Sequence, residues 1–340
     1  MADERYIQIE KYENEFRKLV ESNFDLKLER MSTSASSILN GPISFKARFP
    51  TKNRRLKGSD YYYSNNTIIH FTSFKVLLSI INDGALRLYN LHNSNDEKEY
   101  SYASQTLENI YKMQNFNESN LNSFIDKIKE YSFILSCTSH DSLNKSNFWE
   151  KYGDGNKGVA IEFEIINNSE DWEYFYISKV HYDKLKVFEK LKKEWEDLQT
   201  KNPHLSYQIS LDQFLSLHKS KSWSEENEIR ILTIFPDIHK EPFKERIYND
   251  FKPTKPTYKI KYFKLPLCDK TGKYIEKSIN DRSEFFWSLI PKLRISNIYF
   301  GPDFPMNEGL RKFQEELKYY IATKMNCWIE NLPNNKMKIK

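Results

Sequence analysis

Phe148-Trp149-Glu150-Lys151-Tyr152-Gly153-Asp154-Gly155-Asn156-Lys157-Gly158-Val159-Ala160-Ile161-Glu162-Phe163 is the stretch that frames the rest of the chain. Of the nine glycines in 340 residues, three fall at positions 153, 155 and 158. An aromatic, helix-compatible segment precedes them. After them Val159, Ile161 and Phe163 alternate with Ala160, Glu162 and Glu164, as side chains do on the two faces of a strand. In a glycine-poor chain such a cluster marks a tight turn or a close approach of backbone to a ligand. Taken alone it is a helix–turn–strand corner, and its functional weight depends on what else the chain carries.

Upstream of this corner, Thr67-Ile68-Ile69-His70-Phe71-Thr72 has the β-branched, aromatic character of a buried strand. Ser73 suits the N-cap of a helix carrying Phe74, Leu77, Leu78 and Ile81, and Gly84 suits its C-terminal cap. Leu86-Arg87-Leu88-Tyr89 is a second short strand. Helices are expected near 103–115 and 119–130, and Phe133 to Thr138 is a third strand. Downstream, 174–182 is extended. Leu185, Phe188, Leu191 and Trp195 keep helical spacing over 184–199, and another helix is expected at 211–219. Trp223 to Phe235 begins polar and becomes a strand, with Glu226, Glu228 and Arg230 on one face. A Pro- and Lys-rich loop over 237–256, strands at 258–265 and 295–300, helices at 282–290 and 307–323, and a short strand near 326–331 complete the series.

The ends read differently. Ile9, Tyr12, Phe16, Leu19 and Val20 predict a helix over 5–30. Residues 31–60 carry a Ser/Thr-rich run, Gly41-Pro42 and the basic residues Lys46, Arg48, Lys52, Arg54, Arg55 and Lys57. They predict a solvated linker, with a phosphate-contacting arm as the functional alternative. The organisation expected is therefore an N-terminal helix and basic linker over 1–60, one α+β domain over 61–332, and a frayed tail over 333–340.

Composition sets outer bounds. Hydrophobic residues are 39% and aromatics 15%, enough for a Phe- and Tyr-rich core. The net charge of +5 permits nucleic-acid binding without demanding it. Cys137, Cys268 and Cys327 are widely spaced and show no metal-ligand pattern, so a reducing cytoplasmic setting is expected, with no disulfide scaffold and no metal site. No run approaches the ~18 apolar residues of a membrane span, and the N-terminus lacks the apolar core of a signal peptide, so no membrane partner is expected.

Among polar residues, His70 lies in an apolar run, where a hydrogen-bonded core histidine is the commoner role. Glu226 and Glu228 raise one another's pKa while Arg230 lowers both, an arrangement found on solvated faces and in sites alike. Asn95, Asp96 and Glu99 form a polar loop in which turn or capping roles suffice. Ser136 and Thr138 share one strand face, as do His70 and Thr72.

The order of these segments carries a resemblance. His70-Phe71-Thr72-Ser73 comes first, then Asn95-Asp96 with Glu99, then Ser136-Cys137-Thr138. Trp149 with Tyr152-Gly153 and Lys157-Gly158-Val159 follow, then Trp223 with Glu226, Glu228 and Arg230, and finally Ile295-Ser296-Asn297-Ile298-Tyr299-Phe300-Gly301. The series resembles a bacterial domain-of-unknown-function family with a His-Tyr-Thr-Ser start, an Asn-Asp-Pro-x-Glu loop, a Trp-x-x-Tyr segment and a Glu-x-Glu-x-Arg strand. The resemblance covers about 67–302. Phe71, Glu97 and Gly153 depart from the family's usual Tyr, Pro and Ala.

In motif logic that family is similar to ADP-ribosyltransferases of the toxin or anti-phage effector type. The resemblance implies a split, mostly antiparallel sheet flanked by helices, and NAD as substrate. It implies that His70 and Thr72, with Phe71 between them, hold the adenosine ribose, that Tyr152 stacks on nicotinamide and that Ser136 supports the ribose. Glu228, or Glu226, contacts the nicotinamide ribose, and Arg230 keeps that glutamate ionised or meets phosphate. Asn95 completes the implied NAD-binding set. Catalysis falls to Glu228, Glu226, Tyr152 and His70. Such residue types suit the chemistry: breaking the nicotinamide–ribose bond passes through an oxocarbenium-like state, which a nearby carboxylate stabilises. An aromatic face covers the ring and histidine donates directional hydrogen bonds. The expected acceptor is RNA, DNA or protein, and a toxin would have a neutralising antitoxin protein. Two rivals stand beside this: a metal-dependent nuclease using Asp96, Glu99, Glu226 and Glu228 as oxygen ligands, and a non-catalytic binding module.

Overall fold

A computed structural model describes residues 2–28, 31–35, 43–48, 52–93, 118–182, 185–210, 216–234, 244–251, 259–276, 290–305, 308–325, 329–332 and 336–339. The order begins α1 (Ala2–Phe24), β1 (Met31–Ala35), β2 (Ile43–Arg48), β3 (Thr67–Thr72), α2 (Phe74–Asp83) and β4 (Ala85–Asn90). Next come α3 (Glu118–Tyr131), β5 (Ser132–Cys137), α4 (Ser146–Tyr152), β6 (Val159–Ile165), β7 (Phe175–Lys179), β8 (His181–Tyr182) and α5 (Leu185–Lys201). β9 (Leu205–Ser210), β10 (His218–Lys219), β11 (Ile229–Ile234), β12 (Ile247–Asn249) and β13 (Lys261–Pro266) follow. The described chain closes with β14 (Leu293–Phe300), α6 (Glu308–Met325), β15 (Ile329–Leu332) and β16 (Lys336–Ile339).

The fold is α+β and its sheets are mostly antiparallel. One sheet has six strands in the order β12-β13-β4-β5-β11-β7, the other five in the order β15-β16-β14-β6-β3, and every pairing within them is antiparallel. Alternating side chains explain how they stack. Leu86, Leu88, Phe133, Leu135, Phe175, Ile177, Ile231, Phe263 and Leu265 of the first sheet share one buried cluster with Ile68, Val159, Ile161, Phe163, Ile298 and Phe300 of the second. The two inner faces therefore pack on each other. At one place the two sheets are also hydrogen-bonded to each other. The Ile69 amide donates to the Thr138 carbonyl at 2.9 Å, and the Thr138 amide to the Ile69 carbonyl at 2.8 Å. This isolated antiparallel bridge ties β3 to the end of β5.

The strand–helix–strand unit at 67–90 forms as its caps require. The Ser73 hydroxyl accepts the Val76 amide, and Gly84 ends α2 in the left-handed region at φ 58°. Its two strands nevertheless join different sheets, so α2 crosses between layers.

Several expectations are corrected. Residues 31–60 contain two strands: β1 pairs with β2, and β2 runs parallel to β9. Phe45, Ala47 and Leu56 are fully buried with Phe16, Phe188, Leu191 and Trp195 in a second core. That core rests on Ile134, Tyr176 and Leu232, on the outer face of the six-stranded sheet. Ile43, Phe45 and Ala47 do alternate, but Lys46 and Arg48, which suggested a solvated arm, form the other half of the same strand. The expected tail is a strand, with β16 paired to β14 and β15. Residues 216–219, assigned to a helix, are a turn followed by β10. The helices expected at 103–115 and, up to residue 289, at 282–290 lie outside the described residues. Among the described residues no helix is long and apolar enough to cross a membrane.

Candidate functional site

The opening corner places the first site residue. Trp149 is buried, its indole N–H donates to the Leu143 carbonyl at 2.9 Å, and its ring meets Phe71 edge-on at 4.9 Å. With Phe148, Ile69 and Ala160 it fastens α4 to the outer face of β3 and β6. Tyr152, at the end of that short helix, is left 37% exposed. The glycines serve close approach, but of the chain to itself. A Cβ on Gly158 would sit 2.4 Å from the Thr72 carbonyl oxygen, and one on Gly153 2.7 Å from the Trp149 carbonyl oxygen.

The acidic residues arrive from a different element. Lys221–Glu226 is a turn of 3-10 helix capped by the Ser220 hydroxyl. Asn227 follows in the left-handed region at φ 42°, and β11 starts only at Ile229. Glu226 and Glu228 therefore both precede the strand that carries Arg230, which corrects the period-two expectation. The two carboxylates are joined instead by Lys219 of β10, whose ammonium lies 2.8 Å from Glu226 Oε2 and 2.8 Å from Glu228 Oε2. Arg230 grips Glu228 with Nε at 2.8 Å and Nη2 at 3.0 Å, and its Nη1 donates to the Ser216 carbonyl at 2.5 Å. The Tyr152 hydroxyl donates to Glu226 Oε1. The Tyr182 oxygen accepts the Glu228 amide at 3.1 Å, and the parallel pairing of β8 with β10 sets Tyr182 beside Lys219.

These contacts set the protonation states. Burial pushes the Glu228 carboxyl upward, but Arg230 and Lys219 outweigh it and hold the group well below the usual carboxylate range. Burial raises the Tyr152 phenol, reinforced by its hydrogen bond to Glu226 and the charges of Glu226 and Glu228, so it stays protonated and donates. Tyr182 is raised by burial and by the same two charges. Burial, with Glu228 nearby, also raises the Cys137 thiol, which keeps it an unreactive core residue.

His70 sits where the two sheets join. Its Nδ1 lies 2.9 Å from the Ser136 carbonyl oxygen, which can only accept, so Nδ1 carries the proton. Burial lowers the ring's pKa, against the opposing pull of the Ser136 carbonyl. The neutral ring therefore presents Nε2 as an acceptor, whereas a donating histidine was expected. Ser136 is exposed and stands in register with Arg230 across the β5–β11 pair.

The structure thus joins Tyr152, Glu226, Glu228 and Arg230 through side-chain contacts, and attaches His70 by way of the Ser136 backbone. Phe71 points to the opposite face of β3, into the packing beneath α4, away from His70 and Thr72. Asn95 lies outside the described residues, as do Asp96 and Glu99. Lys219, Tyr182 and Ser216 were missed. Lys219 falls in a stretch whose spacing suggested a helix, and only the pairing of β10 with β8 brings it to the carboxylates.

The profile of a family described as a protein of unknown function, DUF2971, matches residues 148–231. The matched segment runs from α4 into β11 and contains Tyr152, Lys219, Glu226, Glu228 and Arg230. No curated protein and no solved structure matches the chain.

Proposed function

We propose that this site cleaves the nicotinamide–ribose bond of NAD and transfers ADP-ribose to a macromolecular acceptor. The observation that carries the reading is the contact between Tyr152 and Glu226, with Lys219 linking Glu226 to an ionised Glu228. In the reaction the C1′–N bond breaks with its electron pair leaving on nicotinamide. The acceptor's nucleophile bonds to C1′ and gives up its proton to a base. Positive charge develops on the ribose, and a carboxylate beside it stabilises that charge.

The geometry favours Glu226 for this role. Glu228 is 5% exposed, and both of its oxygens are engaged by Arg230 and Lys219. Glu226 is more open, with a side chain 15% exposed, and receives Tyr152 on one oxygen and Lys219 on the other. Its remaining lone pairs suit a ribose hydroxyl or the acceptor's proton. Tyr152 offers a half-open ring to nicotinamide, His70 Nε2 accepts from a hydroxyl of the adenosine ribose, and Glu228 acts as a positioning residue that holds Lys219. Two antiparallel sheets joined at the β3–β5 bridge are consistent with a split-sheet ADP-ribosyltransferase architecture. A toxin or anti-phage effector with a neutralising partner is the setting such a transfer fits.

A second reading rests on the same saturation of Glu228: the Arg230–Glu228–Lys219 cluster is a structural brace in a binding module. One experiment separates the two. The protein is incubated with NAD labelled in its ADP-ribose part and with cell lysate, with and without chelator. Released nicotinamide and transferred label are then measured. Chelator-resistant release and transfer are expected, falling about 100-fold in Glu226→Gln. Absence of release, or full activity in Glu226→Gln, overturns the proposal. Chelator-sensitive nucleic-acid cleavage without transfer points to the nuclease.

A further inference from the structure

The outer face of the six-stranded sheet is divided. The half formed by β5, β11 and β7 is covered by the second core through Ile134, Leu232 and Tyr176. On the half formed by β4, β13 and β12, the inward positions Leu86, Leu88, Phe263 and Leu265 belong to the core between the sheets. The alternate positions Arg87, Tyr89, Tyr262, Lys264 and Tyr248 therefore point outward. Strand register lines them up: Tyr89 lies opposite Tyr262, Tyr262 opposite Tyr248, and Arg87 opposite Lys264.

Two rows result. In the aromatic row, Tyr89 and Tyr262 have ring centroids 5.6 Å apart, and Tyr262 and Tyr248 are stacked at 5.4 Å with 20° between their planes. Tyr248 belongs to β12, the edge strand, and is 41% exposed, so the ring face turned from Tyr262 ends the stack at the sheet's rim. Phe251, just beyond β12, is 72% exposed. The cationic row lies two residues along each strand, about 7 Å away. The Arg87 guanidinium sits over the Tyr262 ring at 4.9 Å and also meets Asp83 at 3.1 Å. No ion pair of Lys264 is found among the described residues. Tyr89 donates to Asp250 at 3.0 Å, which ties the row to the residue that follows β12.

We propose that this face binds single-stranded nucleic acid, with a base extending the Tyr262–Tyr248 stack and the adjoining phosphates following Arg87 and Lys264. Stacked rings accept any base because every base has a π-face, and a neighbouring cationic row tracks the backbone. A duplex keeps its bases paired and cannot supply that stack. The face is distinct from the Tyr152–Glu226 contact, so the proposal stands whether or not the NAD reading does.

The test is fluorescence anisotropy of the full chain with labelled oligothymidylate and oligouridylate, and with a duplex of equal length, at low and moderate salt. Single strands are expected to bind more tightly than duplex. Tyr248→Ala should weaken binding about tenfold or more, while Tyr248→Phe, which keeps the ring, should not. Lys264→Ala should flatten the salt dependence. Circular dichroism and melting temperature confirm that each variant folds, which the exposure of Tyr248 favours. Failure to bind either oligonucleotide at low salt, equal affinity for duplex, or unchanged affinity in Tyr248→Ala overturns the proposal. So does Tyr248-dependent capture of a proline-rich peptide with no binding of oligonucleotide.

Discussion

Glu226 and Glu228 are separated by one residue, yet their surroundings assign them different work. Glu228 is buried against two cations, so removing its charge takes a buried counter-charge from Arg230 and leaves Lys219 with Glu226. Glu228→Gln should lower stability by about 3–5 kcal/mol, measured by denaturant unfolding. Glu226→Gln should cost within about 1 kcal/mol, because its carboxylate is more open and, among the described residues, meets the single cation Lys219. The pH dependence follows from the depressed pKa of Glu228. Its stabilisation is complete above the ordinary glutamate range, near pH 4.3, and is lost as pH falls from there through the folded pKa. The acid limb of a stability–pH curve should therefore be shallower in Glu228→Gln than in the parent. For His70 the lowered pKa means the unfolded chain binds the proton first, so stability falls as pH drops below about 6.5. His70→Gln should remove that limb.

At the scale of elements, the glycine corner is a packing device that presents Tyr152. Gly158→Ala would drive a methyl group into the Thr72 carbonyl at 2.4 Å, backbone against backbone. A loss of about 1–3 kcal/mol is expected, with reduced activity at the adjoining site, read by thermal unfolding and nicotinamide release. Gly155, at φ 61° with open space around it, should tolerate alanine at a cost of about 1 kcal/mol. β3, α2, β6 and β14 were legible because each carries a complete signal: caps for α2, and alternation between two buried faces for the strands. β11 was legible too, but not its start, since nothing in Glu-Asn-Glu announces a left-handed Asn227. β10 was illegible, because two residues have no period.

For the whole molecule, the N-terminal layer is part of the fold and covers half of a sheet face. Phe45 is fully buried there, so Phe45→Ala should cost about 3–5 kcal/mol, where a residue in a solvated linker would cost almost nothing. Unfolding followed by tryptophan fluorescence checks this directly, since Trp195 lies in the same core. Leu217, next to the Ser216 carbonyl that Arg230 holds, lies in the same core, so the same variant should loosen the ion-pair cluster and weaken any activity housed there.

By itself the sequence determined the α+β class, the hydrophobic pattern of the central strands, and the candidates Tyr152, Glu226, Glu228, Arg230 and His70. Period, caps and motif order are local properties, and those suffice for elements and residue types. Only the tertiary structure decided that Lys219 sits between the two glutamates, that His70 spends its Nδ1 proton on the Ser136 carbonyl, that Phe71 packs beneath α4, and that 31–48 belongs to a core. It also lined up Tyr89 with Tyr262 and Tyr248, although α3 to α5 and β5 to β11 separate Tyr89 from the other two in the chain. Each of these depends on strand order and register across sheets, which arise from contacts between distant segments and leave no trace in local spacing.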